Sequence, residues 1–244
     1  MFEHPRLRAV ICNSNMVREE ILRRFGLAPE KLHVIYNGVD LEHFHPRHRA
    51  QLRERARAAL DVAAGQTLFV FVGSGFARKG LDAAIIALAG CGKASYRLAV
   101  AGAARDAARF AALAAARGLG GRVRLLGGRE DVRPLYAAAD CFILPTRYDP
   151  FPNTFLEALA MGLPAIVGRR SGAAETVRHG ENGWICEPED GAGLAPAASP
   201  RLPWAVTFRM SPEELAARAR VQQRLEEDVA TVRIFRPAYG FWQY

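Results

Sequence analysis

The chain has 244 residues, of which 50% are hydrophobic and 24% charged, and it carries a net charge of +8. This composition is typical of one large or two small globular domains. No run approaches the roughly 20 apolar residues of a membrane span, and the first residues lack the apolar core of a signal peptide. The four cysteines form no Cys-x-x-Cys pair, which argues against a zinc site or a disulfide framework and favours a reducing compartment.

The basic charge is compatible with nucleic acid, an anionic membrane or phosphorylated small molecules as partners. The cations are not gathered on one recognition helix, so a nucleic-acid-binding domain is the least favoured of the three. The densest cluster is "RHRAQLRERAR", residues 47–57. It predicts a solvated helix face, and a role at a membrane surface or on an anionic ligand is the alternative.

In chain order, continuously apolar runs alternate with helical patterns. Strands are predicted over residues 8–14, 32–38, 67–75, 96–103, 122–128, 141–145, 164–168 and 183–188. Helices are predicted over residues 16–27, 49–62, 81–90, 105–119, 131–139, 153–162 and 173–180. This alternation indicates βαβ units and a parallel α/β sheet covered by helices on both faces. Ligands of such sheets bind at the carboxyl ends of the strands, which selects the loops 73–80, 102–106, 127–131, 145–153 and 168–175.

The loop "GSGFARKG", residues 73–80, joins a strand to a helix. Its glycines allow close approach of a ligand, and the helix N-terminus offers free N–H groups to a phosphate. Arg78 and Lys79 add two cations, although the spacing is not that of a P-loop. The alternative is a plain turn with solvated cations.

Two acids stand out in "RYDPFPNTFLEALAMG", residues 147–162. Asp149 lies in a proline-rich turn and Glu157 lies one turn into an apolar helix, so both face the same mouth of the sheet. They suit hydrogen bonds from a hydroxyl-rich ligand. The alternative is that Asp149 caps the helix and Glu157 interacts with the helix dipole.

The tail after residue 190 has a different character. It is rich in Ala, Pro and Gly up to residue 210. A helix is predicted over residues 211–232, with Ser211 as N-cap, Pro212 at the first position and Glu214 in a capping box.

Four segments together resemble the retaining, nucleotide-sugar-dependent glycosyltransferases of family 4. They are "VIYNGVDLEHFHP", "FVGSGFARKGLD", "LYAAADCFILPTRYDPFPNTFLEALAMGLPAIV" and "GAAETVRHGENGWICEPED". The resemblance covers about residues 7–190 and implies the C-terminal, Rossmann-like doubly wound half of a GT-B fold. Within the family, the segments are most similar to lipopolysaccharide-core glucosyltransferases that transfer glucose from UDP-glucose to heptose.

The family signature Glu-x₇-Glu reads here as Asp149-x₇-Glu157. The resemblance implies that Asp149 holds the hydroxyls of the donor sugar and that Glu157 holds those of the ribose. It assigns the diphosphate clamp to Arg78 and Lys79, with Ser74 in the place of the usual Arg. The implied catalytic residues are Arg78, Lys79 and Asp149, with no metal and no cofactor beyond the UDP-sugar donor. The implied donor site comprises Gly73, Ser74, Arg78, Lys79, Arg129, Asp149, Phe151, Pro152, Asn153, Thr154 and Glu157.

Three segments are expected on this basis: residues 1–30 as a remnant of the N-terminal GT-B domain, 31–190 as the nucleotide-sugar-binding domain, and 191–244 as an atypical tail. The expected function is transfer of a hexose, glucose by preference, from a UDP-sugar to a glycan acceptor with retention, in lipopolysaccharide core synthesis. The chain is expected to be the donor-binding half only, with a truncated gene, a frameshift or a misplaced start as explanations. A non-catalytic UDP-sugar-binding module and an inactive fragment are the alternatives. The expected location is the cytoplasm, and a peripheral contact at the inner membrane through a lipid-linked glycan acceptor is left open.

Overall fold

The computed structural model describes residue 4 and residues 7–92, 94–178 and 181–189. The helix predicted over residues 211–232, and the tail around it, lie outside the described residues. The strands are β1 Val10–Cys12, β2 Leu32–Val34, β3 Thr67–Val72, β4 Tyr96–Ala101, β5 Val123–Leu125, β6 Cys141–Leu144, β7 Ala165–Gly168 and β8 Gly183–Cys186. The α-helices are α1 Asn15–Phe25, α2 Pro46–Ala59, α3 Phe76–Lys79, α4 Leu81–Gly90, α5 Ala107–Ala116, α6 Arg133–Ala138 and α7 Asn153–Ala160. Two 3-10 turns, Pro29–Lys31 and Gly172–Glu175, complete the set.

The main sheet has six parallel strands in the order β5-β4-β3-β6-β7-β8. The predicted doubly wound α/β sheet is therefore confirmed. The order reverses between β3 and β6, where successive connections leave in opposite directions. A crevice forms at such a point, and ligands of open α/β sheets bind there, outside the carboxyl ends of the strands. β1 and β2 pair with each other in a separate two-stranded parallel sheet.

Central strands of the sheet are apolar on both faces because helices cover both. Every residue of β6 and β7 is buried, and in β3 only Thr67 is partly exposed. Burying one Leu, Ile or Phe side chain contributes about 1.5–3 kcal/mol, so a continuous apolar run favours a central position over an edge. Aromatic rings of Phe71, Phe76 and Phe110 meet edge to face, and they fix the short helix α3 on the end of β3.

Three arginines of the α2 cluster differ from both sequence interpretations, whereas Arg47 and Arg55 are exposed, as a solvated helix face predicts. Arg49, Arg53 and Arg57 are spaced by one helical turn and point inward, where they donate to the backbone carbonyls of residues 137–139 at the end of α6. Arg53 and Arg57 also pair with Asp140, whose carboxylate accepts the N–H of Leu68 at 2.8 Å. We call Arg49, Arg53, Arg57 and Asp140 the arginine brace.

The arginine brace stabilises the amino edge of the sheet. It satisfies carbonyls that a helix end leaves without intrahelical partners, and it places positive charge at the negative end of the α6 dipole. A cavity of about 700 Å³ opens beside it. Because the guanidinium groups already bond protein oxygens, and because this edge lies opposite the carboxyl ends of the strands, we assign the cavity no ligand.

Candidate functional site

The loop after β3 carries the two predicted cations in a form that the sequence did not show. Residues Phe76–Lys79 make one turn of helix, α3, and Gly80 ends it with a φ of 77°. Buried Phe76 anchors this turn, whereas Arg78 is exposed and the Lys79 side chain is only 12% exposed. Two adjacent cations thus have different surroundings: Lys79 is held against the fold, and Arg78 faces solvent.

Gly80 allows the β3 loop to lie directly on the β6 loop. A Cβ atom at this position would lie 1.9 Å from the carbonyl oxygen of Pro145. The left-handed φ of 77° disfavours any other residue independently of that contact. Arg147 reinforces the junction, because its backbone N–H donates to the Arg78 carbonyl at 3.0 Å and its guanidinium pairs with Asp82. The two loops at the switch point therefore form one packed unit.

Asp149 meets both cations. The Lys79 ammonium donates to its Oδ2 atom, and Nη1 of Arg78 lies 3.7 Å from the same oxygen. Arg78 also donates to the carbonyl of Tyr148 at 2.8 Å. The Asp149 side chain is 7% exposed, and α7 has no side-chain cap, so the alternative role of Asp149 as a helix cap does not match the structure. Two cations here meet one buried carboxylate, so these three side chains together carry a net positive charge.

Glu157 lies in the second turn of α7 and is partly buried. The hydroxyl of Tyr136, on α6, donates to its Oε2 atom at 2.8 Å. Burial raises the pKa of Glu157 above its ordinary value, while the Tyr136 hydrogen bond and the charge of His43 lower it, and the net shift is upward. Glu157 is thus a carboxylate held at some electrostatic cost, which is common for a functional group.

The start of α7 lies directly after the β6 loop. Pro152 is the N-cap residue and provides no side-chain cap. Proline has no N–H, so Pro152 shapes the turn and cannot donate a backbone hydrogen bond to a ligand. Phe151 is 4% exposed, whereas Asn153 is exposed. The Thr154 hydroxyl is buried and has no protein partner among the described residues.

Ser74 and Arg129 are the outlying members of the predicted set. The Ser74 hydroxyl accepts the N–H of Ala103 at 3.2 Å and so ties the β3 loop to the β4 loop. Arg129 is exposed in the loop after β5, two strands away from β3 in the sheet. No group of three or more His, Cys, Asp or Glu suited to a metal ion occurs in the described part of the chain.

The sequence did not single out three residues that hold this site together. Asn37, after β2, donates to the Phe151 carbonyl at 3.1 Å and to Oδ1 of Asn153 at 2.8 Å. Glu175 accepts the N–H groups of residues 15 and 16 at the start of α1 and the Tyr36 hydroxyl. Tyr136 is the third. A buried tyrosine usually finds a hydrogen-bond partner for its hydroxyl, and this tendency could have drawn attention to Tyr136.

Although burial raises the pKa of Glu175, the hydrogen bonds from Tyr36 and from the N–H groups of residues 16 and 15 bring it below the ordinary value. This carboxylate also lies at the positive end of the α1 dipole. It therefore stays ionised and holds the segment from β1 to β2 against the turn that follows β7.

Two family models match the chain. The model of glycosyl transferases group 1 matches residues 53–198, and that of glycosyltransferase family 4 matches residues 1–43. The group 1 match contains both loops of the switch point and α7, so the matched region is the one that holds the candidate site.

Similar proteins agree with these matches. The lipopolysaccharide core biosynthesis glycosyltransferase LpsE of Rhizobium meliloti is 35% identical over 141 residues, which are 58% of this chain and 41% of LpsE. A D-inositol 3-phosphate glycosyltransferase of Mycobacterium sp. (strain KMS) is 32% identical over 74% of this chain and 42% of its own length. The structure of Anabaena HepE in complex with UDP and glucose superposes with a TM-score of 0.76 at 25% identity, covering 92% of this chain and 63% of that one.

The chain spans less than half the length of the two curated relatives. In the part that the structure describes, the helices are too short or too polar to cross a membrane. The group 1 model covers more than half of the sequence, and the fold superposes on that of the structural relative over 92% of this chain, so this chain belongs to the group 1 glycosyltransferases.

Proposed function

We propose that the chain binds the donor of a hexosyl transfer, a UDP-hexose, with glucose as the favoured sugar. One observation carries the proposal: at the switch point, the β3 loop with Lys79 and the β6 loop with Asp149 are packed into one unit, and Glu157 lies in the second turn of the helix that follows the β6 loop. The similarity to HepE, which was solved with UDP and glucose, supports the choice of nucleotide and sugar.

In this proposal Lys79 and Arg78 bind the diphosphate. Breaking the glycosidic bond places negative charge on the leaving UDP, and fixed cations that meet this charge lower the barrier. Lys79 is already oriented by its bond to Asp149, and Arg78 is oriented by its bond to the Tyr148 carbonyl. A site arranged before the substrate arrives loses little free energy in reorganising.

The sugar and the ribose take opposite ends of the site. Both cations approach Oδ2 of Asp149, which leaves Oδ1 and the backbone around Asn153 for the sugar hydroxyls. Glu157 accepts the ribose hydroxyls. We assign Arg129 to the neighbourhood of the base, because its loop follows β5, two strands away from β3 in the sheet. The diphosphate charge is met by the two cations, so we expect binding to persist in EDTA.

We propose further that the chain is the donor-binding half of the active enzyme. A second domain would then position a glycan acceptor, and transfer would proceed with retention, in lipopolysaccharide core synthesis. The similarity to LpsE supports that pathway. The basic charge would suit the cytoplasmic surface of a membrane that carries a lipid-linked acceptor.

Titration calorimetry with UDP, UDP-glucose and uridine tests the donor site. We expect the chain to bind UDP and UDP-glucose. Glu157→Ala should lower the affinity for all three ligands, because each contains the ribose. Glu54→Ala is the matched control, since Glu54 is an exposed glutamate of α2. A folded chain that binds no nucleotide would contradict the proposal.

The stereochemical outcome is tested after fusion to the N-terminal domain of a relative. Proton NMR of the product gives the anomeric configuration relative to the donor. Inversion would exclude the retaining mechanism. Binding without transfer in an otherwise active fusion would favour a non-catalytic binding module.

A further inference from the structure

Tyr136 is a polar residue in an apolar helix. Its side chain is fully buried, and the ring lies 6.2 Å from that of Phe44 and 6.3 Å from that of Phe142, measured between centroids. Contact with these two rings holds the Tyr136 ring in the core, so the core determines the position of the hydroxyl.

The hydroxyl reaches α7 at two points. It lies 2.8 Å from Oε2 of Glu157 and 3.1 Å from the carbonyl oxygen of Thr154. The carbonyl belongs to the first turn of α7, where the helical ladder also uses it. The carboxylate is the nearer acceptor and, being charged, the stronger one.

We propose that Tyr136 is a positioning residue of the donor site, which holds one carboxylate oxygen of Glu157 so that the other meets the ribose hydroxyls of the nucleotide. The inference rests on the proposed function. Without the hydroxyl, the carboxylate of Glu157 would rotate freely about its last bond, and each binding event would have to fix it again.

The same hydrogen bond favours the ionised form of Glu157. Burial raises the pKa of this carboxyl, and the Tyr136 hydroxyl and the charge of His43 oppose that increase. The titratable and charged groups that face it are Tyr136 on α6 and His43 in the loop after β2. His43 also faces Asp131, which pairs with Arg133 at the start of α6. A neutral Glu157 would lose acceptor capacity for ribose hydroxyls, so affinity should fall as the carboxyl is protonated.

The first experiment needs no ligand. Side-chain ¹³C NMR of the full chain follows the Glu157 carboxyl through a pH titration in the wild type and in Tyr136→Phe. Removing the hydroxyl should raise the pKa of Glu157. An unchanged pKa in a folded variant would overturn the inference, whatever nucleotide the chain binds.

The second experiment measures binding of UDP and of 2′,3′-dideoxy-UDP as a function of pH. Tyr136→Phe should weaken UDP roughly tenfold at neutral pH and shift the acidic loss of affinity to higher pH. It should have little effect on the dideoxy compound, which lacks the hydroxyls that Glu157 would hold.

Tyr96→Phe is the matched control. Tyr96 is a buried tyrosine of β4 whose hydroxyl has no partner among the described residues, so its removal should change neither UDP affinity nor the pH profile. Equal weakening of both diphosphates by Tyr136→Phe, with an unchanged pH profile, would indicate a general packing defect and overturn the inference. Failure of the wild type to bind UDP would instead contradict the proposed function, and the inference with it.

Discussion

Replacing Lys79 with methionine should separate two roles of this side chain, its contribution to stability through Asp149 and its contribution to diphosphate binding. The ammonium pairs with Asp149, and the two side chains are 12% and 7% exposed. Breaking a buried pair by removing one partner costs about 3–5 kcal/mol, because the other charge stays buried. Arg78 remains, with Nη1 3.7 Å from the same carboxylate oxygen, and reduces that loss. We therefore expect a loss of about 2–3 kcal/mol, or roughly 5–10 °C in Tm.

The same substitution should weaken UDP by about 10- to 100-fold, since a hydrogen bond to a charged group contributes about 1.5–3 kcal/mol. Uridine, which has no phosphate, should bind as it does to the wild type. Calorimetric titration measures both affinities, and thermal unfolding measures stability. The double variant Lys79→Met/Asp149→Asn leaves no uncompensated buried charge, so it should recover most of the stability and none of the UDP affinity.

Arg147→Met provides the control for a general loss of positive charge. Arg147 lies two residues from Asp149, but its guanidinium is engaged by Asp82. The Arg147→Met variant should therefore be less stable than the wild type and keep most of its affinity for UDP. Wild-type UDP affinity in the double variant, or equal losses for UDP and uridine in Lys79→Met, would refute the assignment of Lys79 to the diphosphate.

Three further predictions concern stability. Burial raises the pKa of Glu157, so the native state binds the proton more tightly than the unfolded chain and loses stability as pH rises above the ordinary pKa of 4.5. Glu157→Gln should therefore stabilise the chain at pH 7 but not at pH 4. Equal denaturation midpoints for this variant and the wild type at pH 7 would contradict this. Asp140→Ala should lower the free energy of unfolding, measured in urea, by about 3–5 kcal/mol, because it leaves the arginines of the brace without their buried carboxylate. The folded fraction should bind UDP with wild-type affinity. A specific loss of UDP affinity would show that the brace influences the opposite edge of the sheet. Gly80→Ala should prevent normal packing of the two site loops, because the alanine Cβ would lie 1.9 Å from the Pro145 carbonyl oxygen. A crystal structure of this variant with the β6 loop in its original position would disprove the prediction.

Most of the fold could be predicted because its local signals agree with one another. Strands such as "FVFV" and "CFIL" are apolar without interruption, and the helix α1 ends at Gly26 in the left-handed conformation that glycine commonly adopts after a helix. The location of the candidate site was predicted from the rule for parallel sheets, without knowledge of tertiary contacts, and the binding of a ligand there stays a prediction. The assignment of residues 1–30 to a separate domain stays a prediction.

The rest depends on what each element packs against. The spacing of Arg49, Arg53 and Arg57 places them on one face of α2, but it does not reveal that this face meets carbonyl oxygens and Asp140. The short helix α3 has too few residues for a periodic pattern. Contacts of Asn37 and Glu175 join residues more than 100 positions apart, and the sequence around either residue does not predict these contacts.

The four hydrogen bonds that Glu175 accepts from residues 15, 16 and 36 bear on how chimeric enzymes should be assembled. Asn37 adds a second attachment, to the loop before α7. A crossover placed between β2 and α2 would bring α1 and β2 from another protein, whose surfaces did not coevolve with Glu175 and residues 151–153. Recombination with a foreign N-terminal domain should therefore place its junction ahead of β1, so that both attachments are inherited intact.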